Sequence, residues 1–341
     1  MSFIRTFFAC LFAFAAAFTA VPASAQRLSD EGFAAYLQLV AAKARAEGVS
    51  QSAISQALAG LTMNPRVIQL DGGQPGRQTA PPPLSPYIAR HVDAARINGG
   101  KRAYDRVASL LPRIQQRSGV PGKMLIAIWG HETNYGSYMG DFDLPRSLAT
   151  LAYEGRRRDL FERELIATMK MIDMGVARSQ LTGSWAGAFG NPQFLPSVWL
   201  TTAVDGDGDG DRDIWNSQAD TLASIANYFN LAGWREGQPW GVRASVPSGF
   251  NVDRYSAKLA APSCERVHER HSQWKPVSEW RQLGVTPLAP LGSDVMASLF
   301  QPDGPGTPAW LLTGNYRVIL QYNCSNYYAM SVGLLADEIV R

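Results

Sequence analysis

Apolar positions recur at helical spacing in two stretches near the start of the chain, GFAAYLQLVAAKARAEGV and AISQALAGL, so residues 29–61 read as two helices forming a packing layer. Periodicity then stops. Residues 69–87, QLDGGQPGRQTAPPPLSPY, are dense in Gly and Pro and read as extended loop, with Tyr87 as an aromatic that anchors it. Helical patterning resumes at Ile88, runs through the region of Gln115, and returns over 121–132, 147–151, 157–174, around Trp199 and over 219–231. Between 241 and 308 the pattern changes to short apolar pieces split by Pro, Gly and Ser, which predicts a small β-containing insertion. The following TPAWLLTGNYRVILQYN reads as strand or hairpin passing into a final helix over 327–339. The fold class is therefore mainly α, and no internal repeat is present.

One ionisable group stands out against this pattern. Residues 126–136 read IAIWGHETNYG, in which Glu132 closes an apolar run and Asn, Tyr and Gly follow at once. A carboxyl at the C-terminal end of a buried helix is poorly hydrated and faces the negative end of the helix dipole, and both effects favour its protonated form. Glu132 is thus a candidate general acid, although a surface glutamate near a helix stop is the plainer reading of this segment alone. Asp141 and Asp143 lie nearby and read best as loop or cap residues. A second segment, SWAGAFGNPQFLPSVW over 184–199, sets two glycines, two prolines and Gln193 among aromatics. Small residues let a polymer approach the backbone, Gln193 can bond amide or hydroxyl groups, and Phe194 offers a flat apolar face, so this reads as one wall of a carbohydrate groove.

The start of the chain bears on compartment. Arg5 precedes FFACLFAFAAAFTAV and then Ala23-Ser24-Ala25, a short positive region, an apolar stretch below the ~20 residues a span needs, and an Ala-x-Ala cleavage site. Residues 1–25 read as a signal peptide, with the mature chain starting at Gln26, exported to the periplasm and without a membrane span. Cys10 lies inside the apolar stretch, too early for lipid attachment. Of 341 residues 316 remain, enough to bury a core, and loss of Arg5 takes the formal charge from +3 to +2. That balance gives no electrostatic case for nucleic acid. Cys264 and Cys324 then form an even pair that an oxidising compartment can join.

Residues 205–216, DGDGDGDRDIWN, place carboxylates at loop positions one, three and five, Gly210 at six, Asp211 at seven and Asp213 at nine, as in an EF-hand. The twelfth position is Asn216 where a bidentate Glu is expected. Five carboxylates in nine residues repel one another without a cation, so a structural metal fits better than a bare acidic turn.

Taken together, GHETNYG, the downstream GAFGNPQFLPS, the RSLATLAYEGRRRDLFERELI stretch between them and ANYFNLAGW after them resemble the lytic murein transglycosylases of the membrane-bound lytic transglycosylase B type, glycoside hydrolase family 103. The resemblance runs from about Val67, through IQLDGGQP, to YNCSNYYAMSVGLLADEI. His131 and Asn191-Pro192 depart from sequences common in that family. The resemblance implies a lysozyme-like α-helical core that cleaves peptidoglycan strands non-hydrolytically between N-acetylmuramic acid and N-acetylglucosamine, leaving 1,6-anhydromuramic ends. One glutamate, Glu132 by position, would make both proton transfers without a cofactor. Ser184, Gln193 and Phe194 would line the groove near the reacting sugar, and Tyr87, Tyr322, Asn323 and Tyr328 would contact the glycan. Asp220 takes the place of the aspartate that closes the family's calcium loop, giving Asp205, Asp207, Asp209, Asp211 and Asp220 as the set for a structural calcium. The organisation expected is an N-terminal helical layer and linker over 26–86, a core over 87–240 with the metal loop at 205–220, the insertion over 241–308 and a return to the core over 309–341, with no C-terminal peptidoglycan-binding module. The rival readings are a hydrolytic muramidase on the same fold, a non-catalytic peptidoglycan-binding scaffold and, weakest, a calcium-binding regulator.

Overall fold

A computed structural model of the chain describes residues 28–74, 82–256, 264–268 and 270–341. The leader, its cleavage site and the start at Gln26 lie outside the described residues. The two N-terminal helices form at Asp30–Ala46 and Gln51–Leu58, capped by Ser29 and Ser50, whose hydroxyls accept from Gly32 N and Ala53 N. Their apolar faces pack with Leu144–Glu154, Arg158–Asp173 and Pro196–Thr202 around one hydrophobic core that includes Leu148, Leu165, Phe189 and Ile214. A second core gathers Ala94–Arg106, Leu111–Ser118, Gly122–Thr133, Gln218–Leu231, Gly314–Tyr322 and Asn326–Ile339 around Leu125, Ile128, Phe229, Ile319 and Met330. Tyr228 and Tyr322 pack against both cores and mark the seam between them.

The third core belongs to the insertion. Five antiparallel strands run in the order Trp274–Pro276, Met296–Phe300, Ala309–Leu312, Gly241–Ser245, Thr286–Pro287, so the sheet reaches past 308 to take in Ala309–Leu312. Trp280 fills its inner face and donates its indole N–H to Ala297 O at 2.9 Å. Asn326 ties this body to the second core: its Oδ1 lies 2.8 Å from His271 Nε2 and accepts from Tyr316 Oη at 3.0 Å, and its amide donates to Val267 O.

Two expectations are corrected. The stretch 69–87 is not extended throughout, because Pro65–Gly72 and Ser85–His91 are helices and Tyr87 sits inside the second. Asn64 caps the first with Pro65 at its opening position, a start signal that the Gly and Pro density downstream obscures. NYRVILQY is likewise helix, within Gly314–Tyr322. A short apolar run does not distinguish buried strand from buried helix, and here Thr313, which accepts from Asn315 N, starts the helix.

The sulfurs of Cys264 and Cys324 are joined, with Cα atoms 5.3 Å apart and 60 residues of chain between them. Closing such a loop stabilises a fold by about 3–5 kcal/mol in the chain-entropy model. Denaturant unfolding of Cys324→Ser is expected to show a loss of that order, matched by reduction of the wild-type protein; equal midpoints before and after reduction would refute the stabilising role.

Candidate active site

The helix that carries Glu132 is buried on every side from Met124 to Gly130, so it can end only where the core ends. It stops abruptly: Asn134, Tyr135 and Gly136 all adopt positive φ, at 49°, 60° and 86°. A β-carbon-bearing residue such as Tyr135 is held there by compensation. Its hydroxyl donates to Arg96 O at 2.7 Å and its ring stands edge-on to Trp129. Gly130 makes room for that ring, since a β-carbon there would come within 2.5 Å of it. The local sequence GHETNYG thus stops the helix just after Glu132.

Glu132 Oε1 accepts a hydrogen bond of 2.5 Å from the Tyr328 hydroxyl. Burial pushes the glutamate up to about 7, and the Tyr328 bond only partly opposes this. His131 adds no positive charge beside it, because burial first, then the field of Arg96, lower the imidazole to about 3. The ring of His131 lies 5.7 Å from that of Tyr328 and 6.4 Å from that of His91, on which Tyr87 stacks at 3.7 Å. Tyr87 also meets Tyr327 edge to face. Tyr87, Tyr328 and Glu132 therefore share one aromatic-lined wall.

A two-stranded ladder, Phe142–Asp143 against Thr182–Gly183, brings the other segment alongside. Gly140 permits the approach, since a β-carbon there would fall 2.3 Å from the Gly183 carbonyl. Ser184 Oγ accepts from Ala188 N at 3.0 Å, which folds the glycine-rich turn back on itself. Gln193, at a φ of 50°, donates its side-chain amide to Met139 O and Gly190 O. Phe194 does not offer an open face: it is 3 % exposed, its ring centroid 6.0 Å from each of Tyr228 and Tyr322. It backs Tyr322, whose hydroxyl donates to Pro192 O and whose ring lies parallel to that of Tyr328. Asn323 is exposed and ends the helix Gly314–Tyr322, with no side-chain hydrogen bond among the described residues.

The two neighbouring aspartates have partners of their own. Asp143 caps Leu144–Glu154 through Arg146 N and pairs with Arg178 at 2.7 Å, and Asp141 accepts, among the described residues, from the exposed Tyr138 hydroxyl. Asn191, which the sequence marks only as a departure from the family pattern, proves to be a bonding centre. Its Oδ1 accepts from Trp129 Nε1 at 2.7 Å, its carbonyl accepts from Thr133 Oγ1 at 3.1 Å, and its amide donates to Ile214 O and Trp215 O. Tyr228 was missed, although ANYF carries it.

In the acidic loop, ligand oxygens of Asp205, Asp207 and Asp209 lie within 4.8 Å of one another. Asp220 is fully buried and accepts from Gly206 N and Asp213 N, which locks the loop onto the helix Gln218–Leu231. Asp211 is raised by burial and by repulsion from Asp209. A clustered set of hard oxygen donors suits a cation such as calcium.

Comparison with known proteins places the fold. A family model described as "Transglycosylase SLT domain" matches residues 32–337. Membrane-bound lytic murein transglycosylase B of Escherichia coli is 31% identical over 287 residues, 80% of this chain and 73% of that protein. Among solved structures, SltB3 of Pseudomonas aeruginosa in complex with NAG-anhNAM-pentapeptide has a TM-score of 0.81 at 38% identity, covering 90% of this chain and 79% of that one. Slt35 of Escherichia coli in complex with calcium has a TM-score of 0.71 at 26% identity, covering 92% of this chain and 93% of that one. The mainly α-helical architecture is thus the lysozyme-like fold of these relatives, and the chain belongs to the transglycosylase SLT domain family as a lytic transglycosylase of peptidoglycan.

Proposed function

We propose that the chain cleaves the β-1,4 bond between N-acetylmuramic acid and N-acetylglucosamine without water, with Glu132 as acid and then as base. The observation that carries this reading is a buried glutamate raised to about 7 and bonded to Tyr328, with no carboxylate among the described residues acting on it. Most glycosidases need two carboxylates because an enzyme group or activated water attacks the far face of the sugar. Here the muramic N-acetyl oxygen attacks C1 as Glu132 gives its proton to the departing glycosidic oxygen. The carboxylate left behind, steadied by the Tyr328 hydroxyl, takes the proton of the C6 hydroxyl as that oxygen attacks C1 and expels the N-acetyl oxygen. The internal hydroxyl outruns water through its high effective concentration. Ser184 and Gln193 line the glycan path, with Tyr87, Tyr322, Asn323 and Tyr328 along it and Phe194 behind Tyr322. The SltB3 complexes, whose ligands carry a pentapeptide, support a substrate that bears stem peptides.

The place of action is the periplasm, after loss of a leader over 1–25; the leader pattern and the joined Cys264 and Cys324 support this. Calcium would bind at Asp205, Asp207 and Asp209, with Asp211 and Asp220 completing the set. Its contribution is structural, holding the loop whose Ile214 and Trp215 carbonyls grip Asn191.

Glu132→Gln is expected to fold and bind glycan but to lose roughly 100- to 10,000-fold in turnover for each proton role. Digestion by the wild type in heavy-oxygen water should leave the new muramic ends unlabelled and one water lighter than muramidase products. Solvent oxygen at C1 in most new ends would show a hydrolase.

Because the acid must be protonated, kcat/KM is expected to fall as pH rises through about 7. Tyr328→Phe removes a bond that favours the carboxylate, so that limb should move to higher pH; a shift downward would contradict the assignment. The linked stability runs the same way: a raised carboxyl stabilises the fold below the ordinary glutamate range and loses that contribution as pH climbs through about 7.

Chelation should lower the melting temperature and calcium restore it, by about 2.7 kcal/mol at a hundredfold excess over Kd. Asp209→Ala is expected to abolish the response. Identical melting of both proteins with and without chelator would reduce the loop to an acidic turn.

A further inference from the structure

Beyond the aromatic wall, the C-terminal end of the Glu132 helix opens onto a separate depression. This open cleft, about 700 Å³ in volume, is lined by Asp93, Arg96, Arg102, Arg106, Asn134 and Ser137 and by the backbone between them. Three arginines and one aspartate are among its lining residues. That carboxylate is engaged, since Asp93 Oδ1 caps the helix Ala94–Arg106 by accepting from Arg96 N at 2.8 Å. Arg96 gives one donor to Gly130 O at 2.8 Å, and Arg106 lies over the Trp129 ring, 5.2 Å from its centre. Each contact fixes a guanidinium and leaves most of its donors unspent. None of the three arginines forms an ion pair among the described residues. A cation at a helix C-terminus is ordinary, and Arg96 bonded to Gly130 O fits that description. The dipole does not account for Arg102 and Arg106 lining the same concavity.

We propose that this cleft receives the carboxylates of the stem peptide borne by the muramic acid at the cleaved bond. The proposal rests on the peptidoglycan reading above. In such a substrate the stem hangs from the lactyl ether on C3 of the same ring whose C1 reacts, so it leaves the sugar beside the catalytic acid. Asn134, on the cleft wall, is two residues from Glu132. Stem peptides carry several free carboxylates, and forked guanidinium donors match carboxylate geometry. The enzyme would then grip the glycan along the seam and the peptide at the helix end.

The test uses the full-length enzyme on two substrates: glycan strands with intact stems, and the same strands stripped of stems by an amidase. Arg102→Gln together with Arg106→Gln is expected to lower the ratio of kcat/KM for stem-bearing over stripped strands by about three- to tenfold, the scale of partly exposed charge-assisted bonds. Arg102→Gln alone, at an exposed position that Trp129 does not cover, keeps the test available where the double variant folds poorly. Free acidic pentapeptide should inhibit the wild type more than the variant, and inorganic phosphate at equal concentration should not inhibit. An unchanged ratio, or inhibition by phosphate equal to that by peptide, would overturn the proposal. Failure of the wild type to leave anhydro ends on either substrate would instead overturn the functional reading, and this one with it.

Discussion

Asn191 holds three parts of the molecule to one another. Its side-chain oxygen binds the indole of Trp129 on the acid's helix, its carbonyl binds Thr133 at the end of that helix, and its amide binds two carbonyls of the acidic loop. Its own N–H reaches Ile214 O at 2.9 Å, so every polar atom is spent in a site that is only 5 % exposed. A buried network satisfied this completely fixes one geometry, because losing any partner leaves a dry polar group unpaired. Asn191 lies inside the turn, residues 190–193, that presents Gln193. One side chain thus fixes the Gln193 turn against both the helix that carries Glu132 and the acidic loop.

The acid owes its character to what surrounds it more than to what bonds it. Burial raises the carboxyl, and the single short bond from Tyr328 pulls it back only in part. The outcome would differ with a cation alongside, and the neighbouring imidazole could have supplied one. His131 is kept neutral by the same dry surroundings, and its Nε2 finds no partner among the described residues. A protonated His131 would favour the carboxylate and remove the proton that the first step needs.

Much of this was legible along the chain. The apolar run into Glu132, the following Asn-Tyr-Gly and the glycine-rich 184–199 segment are local signals, and local physics honours them. The two N-terminal helices announce themselves with Ser29 and Ser50 caps. Legibility failed where the deciding partner lies far away. Nothing near Trp129 points to Asn191, 62 residues on, and Phe194 looks like an exposed platform until Tyr228 and Tyr322 close over it. NYRVILQY is ambiguous by itself because five of its own residues are buried, and a buried helix and a buried strand show the same apolar run.

The bond between Glu132 and Tyr328 spans 196 residues of sequence. Contacts of such separation form late, since the intervening chain must first be gathered. When synthesis has passed the acidic loop, Glu132, the Gln193 turn and that loop are already made, but neither Tyr328 nor the helix Asn326–Ile339 that carries it. The surroundings that hold Glu132 are therefore assembled only when that late helix docks.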